Sequence, residues 1–410
     1  MKTIRDDANE IIRRAIRHVQ PDTAVQSALR RAELPETVHL VAVGKAAWQM
    51  AHAAWEELGD RIRDGLVITK YHHGKGPIGP LEIREAGHPV PDGNSFAAAR
   101  RALALADGLG EGEAVLFLLS GGGSALFESP LIPEDELSDI TAQLLASGAD
   151  IVEMNTIRKR LSEVKGGRFA RRCAPARVFS VVLSDIVGDP LDMIASGPAC
   201  PDSTTCAMAE EIARRYGLRL SDRAWECLRT ETPKDLDNVE TVITGSVAQL
   251  CASAAQTAAE LGYEPLVLTD SLTCQAREAG AFLAAMARYH SGRGRALALI
   301  AGGETVVRLT GSGLGGRNQE LALSAAVGIE GLADTAVFSL GSDGTDGPTD
   351  AAGGYVDGGT AAVLRRQGRG AEAYLDDNDS YHALSACGGL IVTGPTGTNV
   401  NDLTVALIRG

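Results

Sequence analysis

The chain has 410 residues, 44% of them hydrophobic and 22% charged, with 47 glycines and a formal net charge of -14. That length exceeds one ordinary hydrophobic core and predicts two domains, and the composition excludes a disordered or fibrous chain in favour of an α/β enzyme scaffold. The acidic balance excludes nucleic acid and an anionic membrane as main partners, since both select a basic surface, yet it leaves room for a local basic pocket that takes a small anionic substrate.

The start of the chain, Met1 to Glu10, is charged and lacks the apolar core of a secretory signal. No run approaches the roughly 18 apolar residues that span a bilayer. The seven cysteines form no C-x-x-C pair and are odd in number, which predicts free thiols in a reducing, cytoplasmic compartment. Periodicity predicts a first amphipathic helix over Ala8 to Val19, a strand over His39 to Val43 ending at Gly44-Lys45, and a helix over Ala46 to Leu58. Lys45 thereby stands where a strand meets a helix, the end of an open α/β sheet at which ligands bind. A second strand is predicted at Gly65 to Thr69. The Gly-, Pro- and His-rich stretch Tyr71 to Gly93 reads as a functional flap with no element of its own.

The third predicted strand, Ala114 to Leu119, runs into Ser120-Gly121-Gly122-Gly123-Ser124-Ala125. Glycines between serines let backbone amides approach an oxyanion closely. The bland alternative is a tight connection. No G-x-x-x-x-G-K-[ST] occurs, so a P-loop kinase is excluded. Asp150 to Ala170 is predicted as one helix whose spacing puts Asn155, Arg158, Ser162 and Lys165 on a single face. That face could grip an anion or simply be solvated. The strand Val178 to Leu183 leads to Ser184-Asp185, and an Asp after a buried strand suits a proton acceptor, a metal ligand or a helix cap.

Glu231 to Asp235 is the predicted domain boundary, giving domains 1–235 and 236–410. Beyond it the alternation restarts with strand Thr241 to Ile243, helix Ala248 to Leu261, strand Pro265 to Thr269 and helix Ala276 to Tyr289. A buried strand over Ala296 to Ala301 then leads through Gly302-Gly303-Glu304 to Gly311-Ser312-Gly313-Leu314-Gly315-Gly316 and a helix. The G-x-G-x-x-G spacing is a misleading dinucleotide signal. Too little chain follows for such a domain, and Asp334 precedes the next strand instead of ending it. Arg317, crowded with Asn318 at the helix start, offers a fork for phosphate or carboxylate, or else sits in solvent while the Asn caps the helix. After the strand Ala336 to Leu340, the loop with Asp343, Thr345, Asp346 and Asp350 fails the EF-hand spacing and suits Mg²⁺ or a polyhydroxy ligand. The last predicted strand, Leu390 to Thr393, opens a polar loop reaching Asp402.

Taken together, Val41 to Ala46, Leu119 to Ala125, Asn155 through Gly167, Ser184 to Asp189, Gly302 to Thr305, Gly315 to Glu320, Asp343 to Asp350 and Gly397 to Asp402 resemble the glycerate 2-kinase family with a MOFRL-type C-terminal domain. The resemblance covers nearly the whole chain in order. It implies a Rossmann-like N-terminal lobe, a second α/β lobe and an active site in the cleft between them. It also implies transfer of the γ-phosphoryl of ATP to the 2-hydroxyl of D-glycerate with Mg²⁺, in a monomer or homodimer. Members have also been labelled hydroxypyruvate reductases, so NAD(P)-dependent reduction is the alternative, and a non-catalytic sugar-acid binder is a third reading. By resemblance Lys45, Asp185 and Arg317 are catalytic. Ser120, Gly121, Gly122, Gly123, Ser124, Asn155, Arg158, Lys165, Glu304, Asn318, Asp343, Thr345 and Asp346 bind substrate or phosphate, while the metal ligands are left open.

Overall fold

A computed structural model describes residues 3–184, 186, 188 and 190–410. Twelve strands are present among the described residues: β1 (Val38–Val43), β2 (Ile62–Lys70), β3 (Glu82–Ala86), β4 (Ala114–Leu119), β5 (Arg177–Val182), β6 (Val239–Ile243), β7 (Glu264–Leu272), β8 (Leu297–Gly303), β9 (Thr335–Gly341), β10 (Gly353–Asp357), β11 (Leu390–Ile391) and β12 (Asp402–Ile408). They form two six-stranded sheets in two compact units.

One unit spans Pro21–Ser184 and continues from residue 190 to Thr244. Its sheet runs β3-β2-β1-β4-β5-β6 with every pair parallel. This is a doubly wound order, and its direction reverses between β1 and β4. Strands buried on both faces need continuous apolar runs, and Val38–Val43 and Ala114–Leu119 supply them with every residue buried. The two stay in register from Val38 opposite Ala114 to Val43 opposite Leu119, so their carboxyl ends finish level. Phe117, Phe127 and Phe169 pack beneath that end, with ring centroids 5.1 Å apart for Phe117 and Phe169 and an edge-on 5.2 Å for Phe127 and Phe169.

The other unit comprises residues 3–20 with Gly245–Gly410. Its sheet, β11-β10-β9-β12-β8-β7, is mixed. β7 and β8 are parallel and the remaining pairs antiparallel. The buried β12 lies between β8 and β9 and holds both in register.

Four expectations need correction. The expected division at 235/236 cuts off β6, which completes the first sheet beside β5, so the second unit starts at Gly245. The first helix, Ile4–His18, folds with the second unit, because its apolar face is buried there and Asp7 bonds Tyr263 and Arg409. The stretch Tyr71 to Gly93 contains β3, paired parallel to β2. The helix expected over Asp150 to Ala170 ends at Arg160, and a new one starts at Arg168. Residues 161–163 instead bond 129–131, with the Leu131 amide on the Leu161 carbonyl at 2.8 Å and the Glu163 amide on the Ser129 carbonyl at 2.8 Å. Ser162 and Lys165 therefore do not share a helix face with Asn155 and Arg158.

Candidate functional site

In the unit built around the parallel sheet, the carboxyl ends of β1 and β4 are tied to each other. The Lys45 amide donates to the Gly121 carbonyl at 2.9 Å, and the Ser120 amide to the Val43 carbonyl at 2.9 Å. Buried Ser120 also accepts the Ala46 amide on its hydroxyl at 3.1 Å. Gly122 has φ +87°, a left-handed conformation that glycine adopts freely. A side chain there would meet His88 and Lys45. Among the described residues no carbonyl takes the amides of Gly121, Gly122, Gly123 or Ser124.

The other residues singled out in this unit hold that loop in place. Arg158 donates from Nη2 to the Ser124 carbonyl at 3.1 Å. Lys165 donates to the same carbonyl at 3.0 Å and to the Phe127 carbonyl at 2.9 Å, and its Nζ lies 2.8 Å from Glu128 Oε2. The Lys165 and Glu128 side chains have no solvent exposure. Burial pulls the Lys165 ammonium down to about 8 in spite of the carboxylate beside it. Asn155, also buried, accepts the Ser196 hydroxyl at 2.9 Å, and Ser196 meets the Ser124 hydroxyl at 3.1 Å. Asn155 and Lys165 thus act on the loop from within the protein, and Lys165 lines no surface. Asp185 lies outside the described residues.

In the second unit, the residues singled out at the start of the helix Arg317–Gly328 are committed to internal carboxylates. Arg317 makes a two-pronged contact with Asp402, at 2.6 Å from Nε and 3.0 Å from Nη2, and its Nη1 reaches Glu304 Oε1 at 3.0 Å. These carboxylates hold its guanidinium more firmly protonated than usual against the cost of burial. It is therefore neither a free fork nor a solvated one. The Asp346 carboxylate accepts the amides of Asn318 and Gln319, at 3.2 and 2.9 Å, so the electropositive helix end is filled by the chain itself. Burial outweighs those amides and raises Asp346 to about 6. Asn318 is buried, donates to Asp346 at 3.3 Å and accepts the Ser339 hydroxyl at 2.5 Å. Asp343 Oδ1 accepts the exposed Thr345 amide at 2.9 Å. Asp402, Glu128 and His88 were not singled out as site residues. An Asp at a strand start, a Glu after an apolar run and a His before a proline carry no distinctive spacing.

The G-x-G-x-x-G loop is bound to residues 377–379. The amides of Thr310 and Gly311 donate to Asn378 Oδ1 at 2.7 and 2.9 Å, that of Ser312 to Asp377 Oδ1 at 3.1 Å, that of Gly313 to the Asp377 carbonyl at 2.8 Å, and that of Leu314 to Asp379 Oδ1 at 3.2 Å. A side chain at Gly311, Gly313 or Gly315 would collide with Asp377, Asp379 or Ser380. The glycines admit a neighbouring segment, and no amide of Thr310 to Leu314 is left for a dinucleotide.

Two family models match the chain: the domain of unknown function DUF4147 over residues 7–229 and the MOFRL family over 297–402. A D-glycerate 2-kinase of Thermotoga maritima is 52% identical over 413 residues, 99% of each chain. A glycerate 2-kinase of Pyrococcus horikoshii is 39% identical over 433 residues, 99% of this chain and 97% of that one. The crystal structure of a glycerate kinase from Thermotoga maritima superposes with a TM-score of 0.94 at 53% identity, covering 98% of both chains.

Proposed function

The chain belongs to the glycerate 2-kinase family of DUF4147 and MOFRL proteins, and from that premise we propose that it transfers the γ-phosphoryl of ATP to the 2-hydroxyl of D-glycerate, giving 2-phosphoglycerate and ADP. The observation that carries the reading is the glycine loop at the reversal point of the parallel sheet, with Lys45 beside it. That place is where doubly wound sheets bind ligands. Hydride transfer fits the same place poorly. The first strand-to-helix turn reads Gly44-Lys45-Ala46-Ala47-Trp48, without the second and third fingerprint glycines, and β2 ends in Lys70 where a dinucleotide site carries an acid for the ribose.

In phosphoryl transfer the oxygen at C2 of glycerate bonds to the γ-phosphorus, the bond to the bridging β,γ-oxygen breaks, and the hydroxyl proton passes to a base. Positioning and charge neutralisation supply most of the rate. We assign Lys45 and the amides of Gly121 to Ser124 to phosphate, with Arg158, Lys165 and Asn155 keeping the loop in shape. Asp185 orients or deprotonates the hydroxyl, or holds the metal. Arg317 neutralises charge on the transferring group, with Glu304, Asn318, Asp343, Thr345 and Asp346 grouped around it. Among the described residues no cluster of three or more His, Cys, Asp or Glu could hold a metal ion. Mg²⁺ commonly takes one or two carboxylates and fills its shell from substrate phosphates and water. When bound with ATP it would neutralise phosphate charge.

Purified protein given Mg²⁺, ATP and D-glycerate should release ADP and form 2-phosphoglycerate, read by coupled assay and phosphorus NMR. Oxidation of NAD(P)H by hydroxypyruvate without ADP formation overturns the reading, and 3-phosphoglycerate as the product overturns the site of transfer.

A further inference from the structure

Lys45 is not the only cation above the glycine loop. It follows β1, Lys70 ends β2, His88 follows β3, and the loop itself follows β4. An ideal Cβ on Gly122 would stand 2.9 Å from His88 Cδ2, 3.1 Å from His88 Nε2 and 3.3 Å from Lys45 Cγ, so the imidazole and the lysine stem flank the bend. His88 is partly buried, and besides that burial the charges that disfavour its protonation are those of Lys45, Lys70 and His73.

Among the described residues neither Lys45 nor Lys70 has a carboxylate within ion-pair distance. Lys159, Lys165 and Lys234 all do. The nearby acids are engaged elsewhere, Glu85 with the Gly74 amide at 2.9 Å and Asp92 with Tyr71 at 2.6 Å and the Ser95 amide at 3.0 Å. In a chain of net charge -14, these two lysines without a carboxylate partner among the described residues leave a locally basic place beside His88. The comparable positions of the other unit have carboxylate partners, Asp402 on Arg317 and Asp346 on the helix end.

We infer that His88, together with Lys45 and Lys70, is a further ligand-contacting residue of an oxyanion site that takes the phosphate chain of ATP. The inference deepens the kinase reading and rests on it for the identity of the ligand. The carboxylate of D-glycerate shares the chemistry, and separate measurements tell the two apart. His88→Ala and Lys70→Met are assayed for both substrates, and inorganic tripolyphosphate is titrated into each protein by calorimetry without turnover. Removing one charge-assisted hydrogen bond to a phosphate weakens binding about tenfold.

Each variant should raise the KM for ATP about tenfold, weaken tripolyphosphate equally, and leave the KM for D-glycerate within about twofold. A rise confined to the D-glycerate KM, with tripolyphosphate unchanged, overturns the assignment to ATP. Unchanged tripolyphosphate affinity and unchanged KM values, in variants that melt as the parent does, overturn the site altogether. Because tripolyphosphate binding needs no catalysis, it reports on the site even if the protein proves not to be a kinase. Should His88→Ala fail to fold, His88→Asn and Lys70→Met, at a partly exposed strand end, carry the same test.

Discussion

Lys165 keeps its charge in a place without water because it pairs with the Glu128 carboxylate and donates to the carbonyls of Ser124 and Phe127. Removing one member of such a pair strands the other. Lys165→Met should therefore cost about 3–5 kcal/mol, whereas Lys165→Met with Glu128→Leu should recover most of that loss in thermal melts. The double variant still removes one of the two donors on the Ser124 carbonyl and leaves Arg158 alone there, so its KM for ATP should stay raised after its stability returns. Equal kinetics in the double variant and the parent would reduce the pair to a packing role. At Arg317 the fork on Asp402 changes what a lysine does. Arg317→Lys keeps the charge, loses the two-pronged geometry and leaves the nearly buried Asp402 half-paired, so a melting-point drop should accompany a fall in kcat of about a thousandfold with little change in KM. A lowered melting point with kcat near normal would remove Arg317 from the chemistry. Sequence reading found both residues by type and neighbourhood. It missed their partners, Glu128 and Asp402, which reach them only through the folded chain.

The helix Arg317–Gly328 is buried nearly all round and takes its terminal charge from Asp346 on another loop. The sign of the resulting pH effect follows from the raised folded-state value. A carboxyl near 6 in the native protein, against about 3.9 unfolded, binds more protons when folded, so its contribution to stability is present in acid and lost as pH rises from about 4 to about 6. Asp346→Asn should remove that downward component, so the melting-point difference between variant and parent should grow in the variant's favour across this window and then level off. A difference independent of pH would mean that Asp346 is ionised at its ordinary value. Elements with continuous apolar runs, such as β1, β4, β5 and β8, were legible because burial on both faces leaves that pattern. The break after Arg160 was not, since its cause is the pairing of 161–163 with 129–131, a contact between segments that local spacing does not encode. The glycine loop misled in the opposite way. Gly311 to Gly316 match a ligand motif, but what approaches their backbone is Asp377 to Ser380.

At the scale of the molecule, each unit has its own six-stranded sheet, and the chain enters the second unit, leaves it and returns. No helix among the described residues is long and apolar enough to cross a membrane. The two-domain α/β architecture was legible from length and alternation. The allegiance of the first helix was not, because its amphipathic face shows only that it needs a partner. Its buried Asp7 accepts the Tyr263 hydroxyl and Arg409 Nη2, each at 2.7 Å. Asp7→Ala should cost about 1–3 kcal/mol by leaving those donors unpaired. Hydrogen exchange should quicken across 245–410 and leave β1, β4 and β5 as protected as before. Loosening spread evenly over both sheets would contradict the allegiance. The order of synthesis gives this helix a further consequence. It is synthesised well before the surface that receives it, since Tyr263 and Arg409 follow Asp7 by 256 and 402 residues. Domains generally fold as they emerge, so the parallel-sheet unit can assemble while the helix waits with its apolar face uncovered. During each round of translation that waiting interval, about twenty seconds or more at 5–20 residues per second, is when the nascent chain is open to chaperones and to aggregation.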